Sequence, residues 1–467
     1  MDNSIKLKDL TRIGYTDNKA RSLVSTIFNR HFKHISSEEK LEILVQIKES
    51  PELFLQDEGV GKIARLFVGE ENKIKPRSFT LSANAAPLRI YGANHVDAQA
   101  IKQMELALTL PVSIQGALMP DAHSGYGLPI GAVLATDNAL IPYGIGMDIG
   151  CRMRLSILDA GESYLQRFDF QLKQSLRSST HFGMDGGLEF RQEHEVLDNP
   201  LFKSLPLLHR LHGKAVRQLG TSGSGNHFVE FGEITLYEGN SLGLPASKYV
   251  ALLSHSGSRG LGAAIAKEYT AIAMNNCKLP RQAQQLAWLN MDSSAGAEYW
   301  AALNLAGEYA KACHDQIHYN VLKPLGLEVL ATVENHHNFA WKDTLSDGRE
   351  VIIHRKGATP AHRDELGIIP GSMTAPAYLV KGLGTESSLY SAAHGAGRAM
   401  SRQKAKDSMT VSGMKQLLSN AGVTLIGGNV DENPQAYKDI GKVMRSQSTL
   451  VAPEGVFYPK FVRMSKD

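Results

Sequence analysis

Apolar residues at helical spacing open the chain. From residue 18 to 32, Ala20, Leu23, Val24, Ile27 and Phe28 fall on one face, which predicts an amphipathic helix. The string Ser36-Ser37-Glu38-Glu39 then offers a capping box, with Ser36 and Glu39 each bonding the other's backbone amide. A second amphipathic run follows through Leu41, Leu44 and Ile47, and Pro51 ends it. No string of catalytic residue types occurs here, so residues 1–80 read as a small helical module. The charged stretch 69–76, closing on Lys-Ile-Lys-Pro, reads as a linker, and beyond it glycine-rich motifs alternate with apolar runs. The boundary falls near residue 80, leaving 81–467 as the larger part.

In that part both periods appear. Asp97 caps a predicted helix carrying Ile101, Met104 and Leu108 on one face. Residues 112–119 predict a strand, and Leu155 with its neighbours another. Helices are expected at 261–275 and 301–319, while 327–333 and 351–353 are short β-branched runs suited to strands. The mixture points to α/β or α+β, and we take α+β, with mixed sheets and helices, as the expected class. The absence of a repeat at fixed period argues against a solenoid or propeller.

Composition adds little to this. With 467 residues, 43% hydrophobic and 21% charged, the chain has the balance of a folded protein with a sizeable core rather than of disorder. No apolar run reaches the roughly 18 residues of a membrane span. Residues 1–10 lack the apolar core of a secretory signal, so the expected setting is the cytoplasm, without a membrane partner. Fifty Lys plus Arg against 47 Asp plus Glu leave a formal charge of +3, which neither demands nor excludes a polyanion. Cys151, Cys277 and Cys313 are irregularly spaced and odd in number, which speaks against a disulfide framework; Cys277 and Cys313 read as packing residues. The 43 glycines and 17 histidines matter more, because many of them gather in short shared strings.

The first string is Met119-Pro-Asp-Ala-His-Ser-Gly-Tyr-Gly-Leu-Pro129, in which Asp121 and His123 stand on a turn after a strand, as ligand contacts or as turn chemistry alone. In Tyr143-Gly-Ile-Gly-Met-Asp-Ile-Gly-Cys-Arg152, a short turn lets Asp148 and Cys151 reach one cation, whose charge would hold the thiol deprotonated. Gly225-Asn-His-Phe-Val-Glu230, Ser254-His-Ser-Gly-Ser-Arg-Gly260 and Glu334-Asn-His-His-Asn-Phe-Ala340 each bring a histidine to a strand end. A single histidine is more often structural. Three at strand ends with Asp148 and Cys151 suit a transition metal, either one zinc or a two-metal centre sharing Cys151. Phosphate binding is suggested by Ile353-His-Arg-Lys-Gly-Ala-Thr359, by Ile369-Pro-Gly-Ser-Met373, and by Ser391-Ala-Ala-His-Gly-Ala-Gly-Arg-Ala-Met-Ser-Arg402. The last predicts a helix after His394 bearing Arg398 and Arg402, with amides at its start for an anion.

In this order the strings resemble the RtcB family of RNA-splicing ligases, which join an RNA 3′-phosphate or 2′,3′-cyclic phosphate to a 5′-hydroxyl using GTP and manganese. The resemblance runs from about Ala83 almost to the C-terminus and implies one large catalytic domain over 81–467. It implies two Mn2+ ions, rather than zinc, held by Asp148, Cys151, His227, His255 and His337, with Cys151 bridging. His394 matches the histidine that attacks the α-phosphorus of GTP, and Asp121 the carboxylate that orients it. Asn226, Glu230, Ser372, Ala396 and Gly397 match positions that hold the guanine nucleotide. Arg259, Asn338, Lys356 and Arg402 match polar groups around the RNA end and the phosphates. The implied activity is RNA repair or tRNA splicing on such RNA ends, with GTP as cosubstrate; no activating protein partner is named by these residues.

The chain departs from the family in places. Its tail, Phe457-Tyr-Pro-Lys-Phe-Val-Arg-Met-Ser-Lys-Asp467, aligns neither Lys460 nor Lys466 with the family's C-terminal nucleotide-contacting lysine. Ala377 stands where many members have a serine, Arg152 where glycine is common, and the helical extension is additional. The segment 431–440 matches the family but offers no chemical role. These departures describe a divergent subgroup. Two other readings are a metal-dependent phosphoesterase that needs no GTP and a non-catalytic RNA-end binder. The string at His394 speaks against the first, and the full set of candidate ligands against the second.

Overall fold

A computed structural model describes residues 5–55, 57, 59–67, 76–183, 188 and 191–466. The fold is α+β, as the two hydrophobic periods require. The capping box at Ser36 and Glu39 forms and starts the helix Ser37–Glu49, which packs against Asn18–His31. Val24, Phe28, Leu44 and Ile47 close a small core of their own with Tyr15, whose hydroxyl donates to the Leu44 carbonyl at 2.8 Å. Nearly all of the stretch read as a linker, 69–75 of 69–76, lies outside the described residues.

Two sheets carry the rest. The larger runs in the order Val329–His336, Arg152–Leu158, Lys248–Ser256, Phe228–Leu236, Val451–Met464, Ala377–Gly382, Leu366–Ile369, with Thr424–Ile426 joining Val451–Met464 in parallel. The smaller runs Asn338–Thr344, Glu350–Lys356, Ile130–Thr136, Ser113–His123, Leu88–Ile90. An edge strand of one sheet, Val329–His336, passes into an edge strand of the other, Asn338–Thr344, through His337 alone.

Strand alternation assigns the faces. In Lys248–Ser256, Val250 and Leu252 pack with Ile317 and Val321 of the helix Ser294–Leu322, while Ala251 and Leu253 join a core on the other face with Met153 and Leu155. His255 shares that second face. Ser254 therefore points back to the helix, where its hydroxyl meets His314 Nδ1 at 2.7 Å and His318 Nε2 at 2.8 Å.

The expected helices and strands near 18–32, 97–108, 155, 261–275, 327–333 and 351–353 form, and the helix expected at 301–319 runs longer, over Ser294–Leu322. Two expectations are corrected. The strand expected at 112–119 forms but continues to His123, because a register slip between Leu118 and His123 absorbs Pro120, so Asp121 and His123 lie in the strand and not on a turn after it. The helix expected after His394 starts late and carries Arg402 but not Arg398: Gly397 turns left-handed at φ +72°, Arg398 bridges Tyr437 in antiparallel fashion, and the helix begins only at Arg402, capped by Ser401. Among the described residues no helix is long and apolar enough to cross a membrane.

Candidate metal centre and the histidine beside it

The candidate ligands come from strand ends and from turns where glycine is required. Gly146 and Gly150 take φ of +99° and +70°, which folds Asp148 and Cys151 inward, and Gly257 leaves no room for a side chain, since a Cβ there would lie 2.2 Å from Asp148 Oδ1. The Cys151 Sγ lies 3.4 Å from His227 Nε2 and 3.2 Å from His255 Nε2. His255 and His337 bring their Nε2 atoms to 3.2 Å, and His227 Nε2 is 3.0 Å from Asp148 Oδ2. Two clusters result, Cys151-His255-His337 and Asp148-Cys151-His227, with Cys151 common to both.

These residues fit a cation. His227 Nδ1 sits 2.9 Å from the Ser222 carbonyl and His255 Nδ1 3.1 Å from that of Asn226. Each Nδ1–H therefore donates outward and each Nε2 lone pair faces the thiol. His337 Nδ1 is buried without a partner among the described residues. Facing lone pairs repel unless a positive ion lies between them, and ligands roughly 2.0–2.3 Å from one ion sit roughly 3–4 Å from each other. Burial drives His255 down to about 3 and His337 well below the usual range, so both rings are neutral. Burial also pushes the Asp148 carboxyl up, but the adjoining His227 ring nitrogen and the Arg259 guanidinium outweigh it and leave the carboxyl below its ordinary value. Burial and Asp148 push the Cys151 thiol well up, and only a bound cation would reverse that.

His394 stands beside this cluster, its ring centroid 4.9 Å from that of His337. Its Nδ1 is 2.7 Å from Oδ2 of the fully buried Asp121, 273 residues away in the chain. Nδ1–H donates to the carboxylate, so Nε2 is the nitrogen left for chemistry.

All of these side chains except Asp121 line one cavity of about 380 Å³, together with Asn226, Glu230, Asn338, Lys356, Ser372, Ala396, Gly397 and Arg402. Phe228, Met373, Ala377, Val462 and Met464 belong to its apolar part. Burial pushes the Glu230 carboxyl well above the usual range and brings Lys356 down to about 8. Neither Lys460 nor Lys466 lines the cavity; the last strand offers Val462 and Met464 instead.

Several cations of these strings stand differently from the simplest expectation. Arg355 is fully buried on the far face of Glu350–Lys356, bonded to Ser391 Oγ at 2.7 Å and to two carbonyls, because alternation sends it away from Lys356. Arg259 lies outside the cavity lining, in a left-handed φ of +56°, 3.3 Å from Thr221 Oγ1. Arg402 lines the cavity but is paired with Asp431 at 2.7 Å and Glu432 at 2.6 Å. Arg152 faces away from the cavity, its Nη2 3.3 Å from His336 Nδ1.

Sequence reasoning missed the work of 431–440. Asp431 and Glu432 hold Arg398 and Arg402, Tyr437 lines the cavity and donates to Glu432, and Lys438 reaches the backbone around Asp121. The motif's acidic start and aromatic–lysine end were visible, but nothing local indicated which strings they would meet.

A family model described as tRNA-splicing ligase RtcB matches residues 103–204 and 203–461. The RNA-splicing ligase RtcB of Escherichia coli K12 is 31% identical over 406 residues, covering 79% of this chain and 95% of that protein. The tRNA-splicing ligase RtcB of Nanoarchaeum equitans is 30% identical over 436 residues, covering 77% and 91%. RNA-splicing ligase RtcB of Mycobacterium tuberculosis is 30% identical over 406 residues, covering 72% and 94%.

Proposed function

The chain belongs to the RtcB family of RNA-splicing ligases, and from that premise we propose that it joins RNA 3′-phosphate or 2′,3′-cyclic phosphate ends to 5′-hydroxyl ends with GTP, through a guanylylated His394. The observation that carries this is the 2.7 Å bond from His394 Nδ1 to Asp121 in a cavity shared with the candidate metal ligands.

His394 Nε2 attacks the α-phosphorus of GTP; the P–N bond forms, the bond to the bridging oxygen breaks, and pyrophosphate leaves. Asp121 keeps the proton on Nδ1 and stabilises the charge that develops on the ring. The 3′-phosphate then takes the guanylyl group from His394, and the 5′-hydroxyl attacks the 3′-phosphorus, loses its proton and expels GMP. A cyclic phosphate first needs opening by water. Mn2+ ions held by Asp148, Cys151, His227, His255 and His337 would supply charge neutralisation for the phosphates. Glu230 is suited to the guanine edge, whose paired N–H donors would restore its charge, and Asn226, Ser372, Ala396 and Gly397 to the rest of the nucleotide. Lys356, Asn338, Arg259 and Arg402 are assigned to the RNA end and the phosphates, Arg402 after exchanging a carboxylate for phosphate. The place of action is the cytoplasm, where a reducing milieu keeps Cys151 available as a thiol.

The test is incubation with α-labelled GTP and manganese followed by denaturing electrophoresis. An acid-labile label on the wild type and none on His394→Ala is the expected result. No label on the wild type overturns the ligase reading in favour of a GTP-independent phosphoesterase or an RNA-end binder. Label persisting on His394→Ala moves the nucleophile elsewhere.

A further inference from the structure

The segment 431–440 runs as a strap alongside the string that carries His394. Ala399 N–H donates to the Ala436 carbonyl at 2.8 Å, Arg398 bridges Tyr437, and Lys438 N–H donates to the Gly397 carbonyl at 2.9 Å. From the same residue the Lys438 ammonium crosses to the other string, donating to the Ala122 carbonyl at 2.7 Å and the Pro120 carbonyl at 3.3 Å. Those carbonyls flank Asp121. The two strings touch backbone to backbone between them: a Cβ on Gly397 would lie 2.2 Å from the Asp121 carbonyl oxygen.

Asp121 also needs a counter-charge. It is fully buried, its Oδ2 is taken by His394, and its Oδ1 has no hydrogen-bond partner among the described residues. A buried carboxylate is costly unless compensated. The Lys438 ammonium, held on the carbonyls either side of Asp121, is a cation that lies near it without direct ion-pair contact: burial pulls the ammonium's pKa down while the Asp121 and Asp97 carboxylates pull it back up.

We propose that Lys438 is a positioning residue for the nucleophile, a staple that fixes the Asp121 backbone against the His394 string and supplies the positive charge that balances the Asp121 carboxylate. Lys438 does not line the cavity, so it acts through Asp121 and not on the nucleotide. Its kinetic consequence rests on the ligase reading; its effect on the imidazole does not.

The experiment uses the full chain and reads both. In the metal-free protein, the His394 Nδ1–H shared with Asp121 is sought as a downfield proton resonance, assigned by its loss in His394→Ala. In Lys438→Met that resonance is expected to broaden or move upfield, and Lys438→Arg to restore it. The single-turnover rate of GTP labelling is expected to fall about tenfold to a hundredfold in Lys438→Met. Half-saturating GTP and manganese content should remain as in the wild type, with Lys438→Arg recovering most of the rate. An unchanged resonance in Lys438→Met overturns the staple, as does a labelling rate within about twofold of wild type or a loss shared equally by manganese content. If Lys438→Met does not fold, Lys438→Gln is read by the same criteria. A wild type that shows the resonance shift on substitution but never takes label overturns the ligase reading and leaves the staple standing.

Discussion

Lys356 ends the strand Glu350–Lys356 with its ammonium on the Tyr126 carbonyl and 5.4 Å from the centroid of the Tyr143 ring. Burial brings its pKa down from 10.5 to about 8. It is charged below that value and neutral above it, so its attraction for phosphate fades as pH rises through about 8. Binding of a 3′-phosphorylated oligonucleotide, followed by fluorescence anisotropy from about pH 7 to about pH 9, should weaken severalfold in the wild type. In Lys356→Arg that weakening should vanish; an identical pH profile in both proteins would remove Lys356 from the RNA end. Stability moves the other way. The folded-state pKa lies below the unfolded one, so this group's contribution rises with pH between about 8 and 10.5 and is lost as pH falls through about 8. The neighbouring Arg355 shows what a sequence string conceals, because two adjacent cations on a strand necessarily face opposite ways.

Among the elements, the strand Lys248–Ser256 carries His255 toward the cavity and Ser254 toward the helix Ser294–Leu322. A hydroxyl has one proton, so Ser254 donates to one of His314 and His318 and accepts from the other. Ser156 Oγ extends the chain to His318 Nδ1 at 2.8 Å, and the Ser256 carbonyl closes it on His314 Nε2 at 3.2 Å. Burial holds both imidazoles well below their ordinary pKa, so they remain neutral partners. Ser254→Ala should strand two ring nitrogens in the core and cost about 1–3 kcal/mol. Urea unfolding of the metal-free protein measures this; a loss below about 0.5 kcal/mol would show that the chain does not hold the strand. The helical spacing of His314 and His318 was legible in the sequence, whereas their partners lie 60 and 64 residues away. The late start of the helix after His394 has a comparable cause. Gly395 and Gly397 are poor helix formers, and Gly397 is drawn into left-handed backbone by its contact with Asp121.

Across the whole molecule, two sheets meet at His337 and place the candidate ligands of one beside Asp121 of the other, where His394 joins it from the end of the short strand Ser391–Ala393. The N-terminal residues pack a separate small core and reach the remainder through the half-buried pair of Asp57 with Arg210, on the helix Pro206–Gln218. We propose the division near residue 80 as a functional one, with chemistry confined to the larger part. Residues Arg77–Ser78 pair with Cys277–Lys278, so the informative truncation begins at Pro76. That chain should retain GTP labelling within about threefold of the full protein. Selective loss of ligation on particular RNAs, with labelling intact, would assign the module to substrate choice; loss of labelling would refute the division.

By itself the sequence determined the chemistry available and its local presentation. It supplied the thiol, imidazole and carboxylate candidate ligands, the capping box at Ser36, the strand runs and the glycines that permit the turns, because dihedral preferences and periodicity act over a few residues. It also carried the order of strings that resembles RtcB. Only the tertiary structure decided which groups meet. Cys151 finds His227 across 76 residues and His255 across 104, and Asp121 finds His394 across 273. Such meetings depend on strand order and register summed over the whole chain, which no local pattern encodes. The same long-range packing turned Arg355 away, paired Arg402 with carboxylates and brought Lys438 to Asp121.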